Sequence, residues 1–245
     1  MKTKTLLIAA AALAAGVISS QAQVYSQNIV GYANVATPNA GANYLLSIPF
    51  KIGVSNGANE IFGASLPDGS QILTWSTATS KYTVVQTDSG SPTGWSDANT
   101  SASVPPPLLP VGQGFFLSPS DVNVTNRFVG TVAINVGTTN TITLPNAGAN
   151  YLVGCAVPYA GSVTNGNDSG GGPNLNALPD GSQVLTWTTA TSKYTVVQTD
   201  SGSSTGWSDA NTSAAVAPPV ITVAQGFFIS PSDVNAKWKT GLSAQ

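Results

Sequence analysis

The chain of 245 residues has no histidine, one cysteine, one arginine and one glutamate. Without imidazole, Ser-His-Asp and Cys-His catalytic constellations are excluded, as are histidine-based zinc sites. Cys155 has no partner for an intramolecular disulfide. It lies in the apolar run "NYLVGCAVPY" and reads as a small core residue rather than a nucleophile. Charged residues make up 7% of the chain, and no Lys/Arg cluster occurs. A nucleic-acid partner needs such a cluster to displace counterions, so none is expected, and an anionic membrane surface is disfavoured for the same reason. No phosphate-cradling glycine loop is present either. The "SGGG" at Ser169 has no following helix or lysine, and no cofactor is expected.

The N-terminus carries Lys2 and Lys4, then an apolar run from Leu6 to Ile18, then small residues at Ser20 and Ala22. This is the pattern of a cleaved secretory signal, residues 1–22, with the mature chain starting at Gln23. The apolar run is too short for a permanent span of a bilayer about 30 Å thick. No second run of that length follows, so no membrane span is expected after cleavage. The expected location is secreted or cell-surface. Loss of Lys2 and Lys4 leaves six basic residues against ten acidic ones, a formal charge of −4. Ser, Thr, Asn and Gln must therefore cover the surface, a composition suited to a secreted β-protein.

What the sequence does contain, it contains twice. "SKYTVVQTDSGSPTGWSDANTSA" at Ser80 returns at Ser192 with Pro92 replaced by Ser204. "PNAGANYL" (Pro38, Pro145), "LPDGSQ" (Leu66, Leu178), "QGFF" (Gln113, Gln225) and "SPSDVN" (Ser118, Ser230) also recur. The offset is 107 at the first marker and 112 afterwards, so the second copy gained five residues, read as a flexible loop in "GSVTNGNDSGGGPN". A period near 110 residues matches a small domain rather than a solenoid repeat.

The local pattern is β. "QILTWST" and "KYTVVQT" form a hairpin, "GQGFFLS" is a strand whose glycines permit close approach, and "PDGS" is a turn. "NRFVGTVAINV" and "TNTITLP" read as a longer hairpin turning at Gly137. "GANEIFGA" around Glu60 is the one helix candidate beyond the signal. The expected fold is all-β: two tandem small antiparallel β-sandwich-like domains, 23–129 and 130–245, with a single fused sandwich or barrel as the alternative.

The start "VYSQNIVGYANV", then "YLLSIPF", "LPDGSQILTW", "GWSD" and "VGQGFFLSPS", in this order, resembles a group of uncharacterised exported β-repeat proteins common in Verrucomicrobia. The resemblance covers nearly all of the mature chain. It departs at "SIPF" and "CAVPY", where that group has an "NPL"-type turn. It implies export and a β-rich building block, and it carries no chemistry.

Four site readings arise. "TDSGSPTGW" and "TDSGSSTGW" look like the two half-signatures of an aspartic protease, with Asp88 and Asp200 as the dyad. Against this, Thr87 and Thr199 replace the usual apolar neighbour, the later apolar-apolar-Gly strand is missing, and Asp-Ser-Gly-Ser is a good turn in its own right. Asp88 and Asp97 are near in sequence and could serve as the two carboxylates of a glycoside hydrolase, but nothing else in the chain supports that. Asp88, Asp97 and Asn99 could offer hard oxygens to calcium, though the spacing is not that of an EF-hand or an RTX repeat and no metal is assigned. The last is carbohydrate binding. Trp95 and Trp207 in "TGWSD" turns would offer flat faces, flanked by Asp97 and Asn99 and by Asp209 and Asn211. Tyr82, Tyr194, Trp75 and Trp187 stand nearby in sequence, although the strand tryptophans are expected to be buried. The leading expectation is a non-enzymatic structural or adhesive protein. Its partners would be extracellular polysaccharide or further copies of itself.

Overall fold

The computed structural model describes residues 29–134, 138–164 and 171–242. The signal segment, Gly137 and the middle of the inserted loop lie outside the described residues. The first unit runs β1 (Val30–Thr37), β2 (Tyr44–Ser47), helix α1 (Ala58–Phe62), β3 (Gln71–Ser76), β4 (Lys81–Thr87), β5 (Trp95–Asp97), β6 (Gly114–Ser118) and β7 (Val124–Thr131). The second begins with β8 (Thr139–Leu144), β9 (Tyr151–Gly154), β10 (Gly161–Ser162), β11 (Gly172–Asn174) and a 3₁₀ turn at Leu175–Ala177. It continues with β12 (Gln183–Thr188), β13 (Lys193–Thr199), β14 (Trp207–Asp209), β15 (Val220–Ile221), β16 (Gly226–Ser230) and β17 (Ala236–Gly241). The protein is all-β, with antiparallel pairing in every sheet.

Each unit is built around one five-stranded sheet. The orders are β2-β6-β3-β4-β5 and β14-β13-β12-β16-β9, which match position for position between the copies. The expected β3–β4 hairpin forms, with Trp75 opposite Tyr82 and Ser76 opposite Lys81. Its corner is turned by Ser80 at φ 50°, in the left-handed region. Alternation along the strands sorts the side chains to two faces. Ile72, Val85, Phe115 and Leu117 point into the first unit's own core, and Val184, Val197, Phe227 and Ile229 into the second's. A ribbon closes each core from outside: β1 with β7 in the first unit, β17 with β8 and β11 in the second.

Three expectations need correction here. Strands β7 and β8 do not form a hairpin with each other. β7 pairs along its whole length with β1, from Val30–Thr131 to Thr37–Val124, and β8 pairs with β17. Each ribbon thereby covers its own core, which a β7–β8 pair would leave open. The boundary at residues 129 and 130 cuts through β7, and the first unit continues to Val132, whose amide bonds the Ile29 carbonyl at 2.8 Å. The insertion is not loop throughout. It supplies β10, paired with β15, and β11, which adds to the edge of β17.

Helix α1 forms where the sequence places one. The Glu60 carboxylate caps it, accepting the N–H groups of Val54 at 2.9 Å and of Ser55 and Gly57 at 3.0 Å. Those three amides, in that order of strength, pull the Glu60 pKa down to about 2. Cys155 is buried, and burial pushes its thiol up to about 11 despite the Thr240 hydroxyl at 3.3 Å. One ribbon position has diverged between the copies, from Asn126 to Trp238. Both side chains are fully buried, and each holds a polar atom without a partner, Asn126 Oδ1 and Trp238 Nε1.

Candidate functional site

The two Asp-Ser-Gly-Ser stretches close the turns from β4 to β5 and from β13 to β14. Asp88 Oδ1 accepts the Gly90 N–H at 2.9 Å, and the Asp88 N–H bonds the Gly94 carbonyl at 2.9 Å. The neighbouring Pro-Asp-Gly-Ser turn clamps this one. Asp68 accepts the Ser89 N–H at 2.7 Å on one carboxylate oxygen and the Ser89 hydroxyl at 3.0 Å on the other. Thr87, the residue that departs from the protease pattern, donates its hydroxyl to the Pro67 carbonyl at 2.7 Å. Ser91 and Thr93 tie the far side to the carbonyls of Trp95 and Val104. The second copy repeats the arrangement. Gly202 donates to Asp200 at 3.0 Å, and Ser201 donates to Asp180 at 2.7 and 2.9 Å.

A groove of about 550 Å³ runs beside Asp88, between Asn59, Leu66, Asp68, Thr93 and Trp95. Every residue lining it belongs to the first unit, so Asp200 does not enter it. An aspartic dyad requires both carboxylates about 3 Å apart. Here each aspartate instead caps its own turn, in its own unit.

The sugar-binding set is also rearranged. Trp95 is 3% exposed and Trp207 fully buried, so neither ring offers a face to solvent. Each indole N–H is satisfied inside the unit, by Asn59 Oδ1 at 2.6 Å and by Asn176 Oδ1 at 3.1 Å. A buried tryptophan needs such a partner. The acceptors come from different elements, helix α1 in one unit and the 3₁₀ turn in the other. Turn-like neighbours mark these tryptophans as loop residues in the sequence; the signal pointing the other way is that "GWSD" continues as a strand.

Asp97 and Asn99, with Asp209 and Asn211, form closed turns rather than a ligand set. Asp97 Oδ1 accepts the N–H of Thr100 at 2.8 Å, the N–H of Asn99 at 2.9 Å and the Thr100 hydroxyl at 3.0 Å. Asp209 Oδ1 does the same with Thr212 and Asn211. The backbone bonds from Thr100 and Asn99 hold the Asp97 carboxyl below its ordinary range, and those from Thr212 and Asn211 do so for Asp209. Among the described residues no three Asp, Glu or Cys side chains gather as a metal cage, and no helix is long and apolar enough to cross a membrane.

The aromatic side chains that do converge are those on the strands, where the two units meet. Trp75, Tyr82, Phe116, Trp187, Tyr194 and Phe228 form a closed ring of edge-to-face contacts, with successive centroids 4.8 to 5.9 Å apart. Leu45, Leu73, Leu152 and Leu185 pack around it. Trp75 Nε1 donates to the Asn150 carbonyl and Trp187 Nε1 to the Asn43 carbonyl, both at 2.7 Å. Thr77 and Thr189 add their hydroxyls to the same two carbonyls at 3.0 Å. The Tyr82 and Tyr194 hydroxyls meet at 3.4 Å. Burial, then the facing Tyr194 hydroxyl, pushes the Tyr82 pKa up, and burial does the same to Tyr194.

Every one of these contacts is reciprocal under the offset between the copies. The backbone joins in: the Ser47 N–H bonds the Ala224 carbonyl at 2.8 Å, and the Gly154 N–H bonds the Gly112 carbonyl at 2.9 Å. Glycine is required here by proximity, since a Cβ on Gly154 would collide with that of Ser47. Val111 packs on the second core, and Val223 with Ala224 on the first. The junction is thus an internal dimer with approximate two-fold symmetry, the isologous kind in which the same patch is used twice.

Searches of family models, of curated proteins and of solved structures found no match to this chain.

Proposed function

We propose that the chain is an exported, non-enzymatic structural or adhesive module of the extracellular surface, acting as a rigid paired β-block. The observation that carries this reading is where the duplicated motifs are engaged. The Asp-Ser-Gly-Ser and Trp-Ser-Asp groups are tied up in their own turns, and the strand aromatics in the junction. Chemistry-bearing residues are therefore used as structure. Further support comes from the β1–β7 ribbon. Its outward face exposes Val30, Tyr32 and Val129, and β1 has no second strand partner among the described residues. Exposed apolar patches and free strand edges favour contact with other surfaces.

Fractionation of cells that produce the protein tests this role. The expected result is mature chain, starting near Gln23, retained in the washed extracellular or envelope-bound fraction. Recovery entirely as free protein in the periplasm or medium would overturn it.

A further inference from the structure

The residues that join the two units are the same residues on both sides. Trp75 and Trp187, Tyr82 and Tyr194, Phe116 and Phe228, and Thr77 and Thr189 occupy matching positions. From these we infer that the junction is exchangeable between chains: the first unit of one molecule docks on the second unit of another copy, forming a reciprocal dimer.

Three features carry the inference. First, nothing at this face distinguishes the unit's own sister from that of a neighbour, and specificity requires a difference in affinity. Second, an unpaired unit is incomplete. The first core takes Val223 and Ala224 from the second unit, and the second core takes Val111 from the first. A chain that has not closed on itself therefore presents buried-type surface that only a copy of this unit fits. Third, the pairing of self with self is favoured only by the tether between β7 and β8. A short tether is equivalent to a local concentration of about a millimolar, so exchange becomes competitive when the chain is crowded to that level during folding. The inference rests on the structural role above for its setting, since a secreted layer is such a crowded place, and on the junction alone for its geometry.

Co-expression of two mature full-length chains with different affinity tags tests it without any denaturation step. Capture of one tag should bring down the other as a species of twice the chain mass by light scattering. The fraction of captured chain that carries the other tag should rise about tenfold when expression is raised by a similar factor. Placing like charges at the junction with Tyr82→Arg and Tyr194→Arg should abolish it. If far-ultraviolet circular dichroism shows that this variant has not folded, a second tagged chain carrying Tyr82→Asp and Tyr194→Asp serves instead. Co-expressed with the arginine chain it should raise co-capture above that of the native pair, because opposite charges meet only across an exchanged junction. Folded monomer alone at both expression levels, or co-capture indifferent to the junction variants, overturns the inference. Chain retained in the matrix without co-capture sinks only the exchange. Co-capture by a chain found free in the medium sinks only the structural role.

Discussion

The Trp75 indole nitrogen bonds the Asn150 carbonyl at 2.7 Å, and its counterpart Trp187 bonds the Asn43 carbonyl at the same distance. Each unit therefore holds the other by a side chain that it also receives. Trp75→Ala removes two ring contacts and one hydrogen bond at a half-buried site. It should lower the free energy of unfolding by about 2–3 kcal/mol, and Trp187→Ala by a similar amount. Chemical denaturation followed by circular dichroism measures this. A loss for one tryptophan and none for the other would refute the symmetry of the junction.

Asp68 and Asp88 make a contrasting pair. Asp68→Ala breaks two hydrogen bonds to Ser89 and should cost about 1–2 kcal/mol. Asp88→Asn keeps an oxygen for the Gly90 amide and should be near neutral. Stability curves for both variants decide it. A larger loss at Asp88 would show that its charge, and not its turn, matters.

Glu60 gives the protein an acid-sensitive element. Its pKa falls from 4.5 to about 2 on folding, because Val54, Ser55 and Gly57 donate to the charged form. A depressed folded pKa adds stability that is present above the unfolded value and lost as pH falls through the folded one. The stability difference between the native chain and Glu60→Gln should therefore be constant above about pH 5 and shrink between pH 4.5 and 2. A difference that stays flat across that window would mean the amides do not prefer the carboxylate.

Asn126 is fully buried in β7, with Oδ1 unpartnered and only a long 3.4 Å contact from Nδ2 to Thr37. Replacing such a group with an apolar one removes a desolvation cost. Asn126→Val should raise stability by about 1 kcal/mol, since valine also suits a strand. A lowered denaturation midpoint would count against this account.

The strands are legible in the sequence because their signals are local. Alternation, hairpin spacing and turn residues act within a few positions, so β3, β4, β6 and the helix at Glu60 can be placed from the residues alone. The ribbon partners cannot, because β1 meets β7 across a long stretch of chain and no local rule encodes that choice. The site residues are harder still. The turn-like "TGWSD" setting points to Trp95 and Trp207 as platforms, yet both are buried, because the short strand they begin packs them into their own unit. The junction does leave a trace in "QILTW" and "GQGFF", where both faces of the strand are apolar. A sheet apolar on both faces must be covered on both, and in a duplicated chain the second cover is the copy.

The pairing of Thr37 with Val124, 87 positions apart, also sets an order of events in time. On the export route proposed above, the chain leaves the cell N-terminus first. β1 emerges early and waits for β7, while the β3–β4 hairpin closes at once from neighbouring residues. By the time β12 and β13 appear, their near-identical counterparts are already engaged. Direction of travel thus protects a duplicated sequence from confusing one copy of its hairpin with the other. That protection is absent when the whole chain refolds from a denatured state.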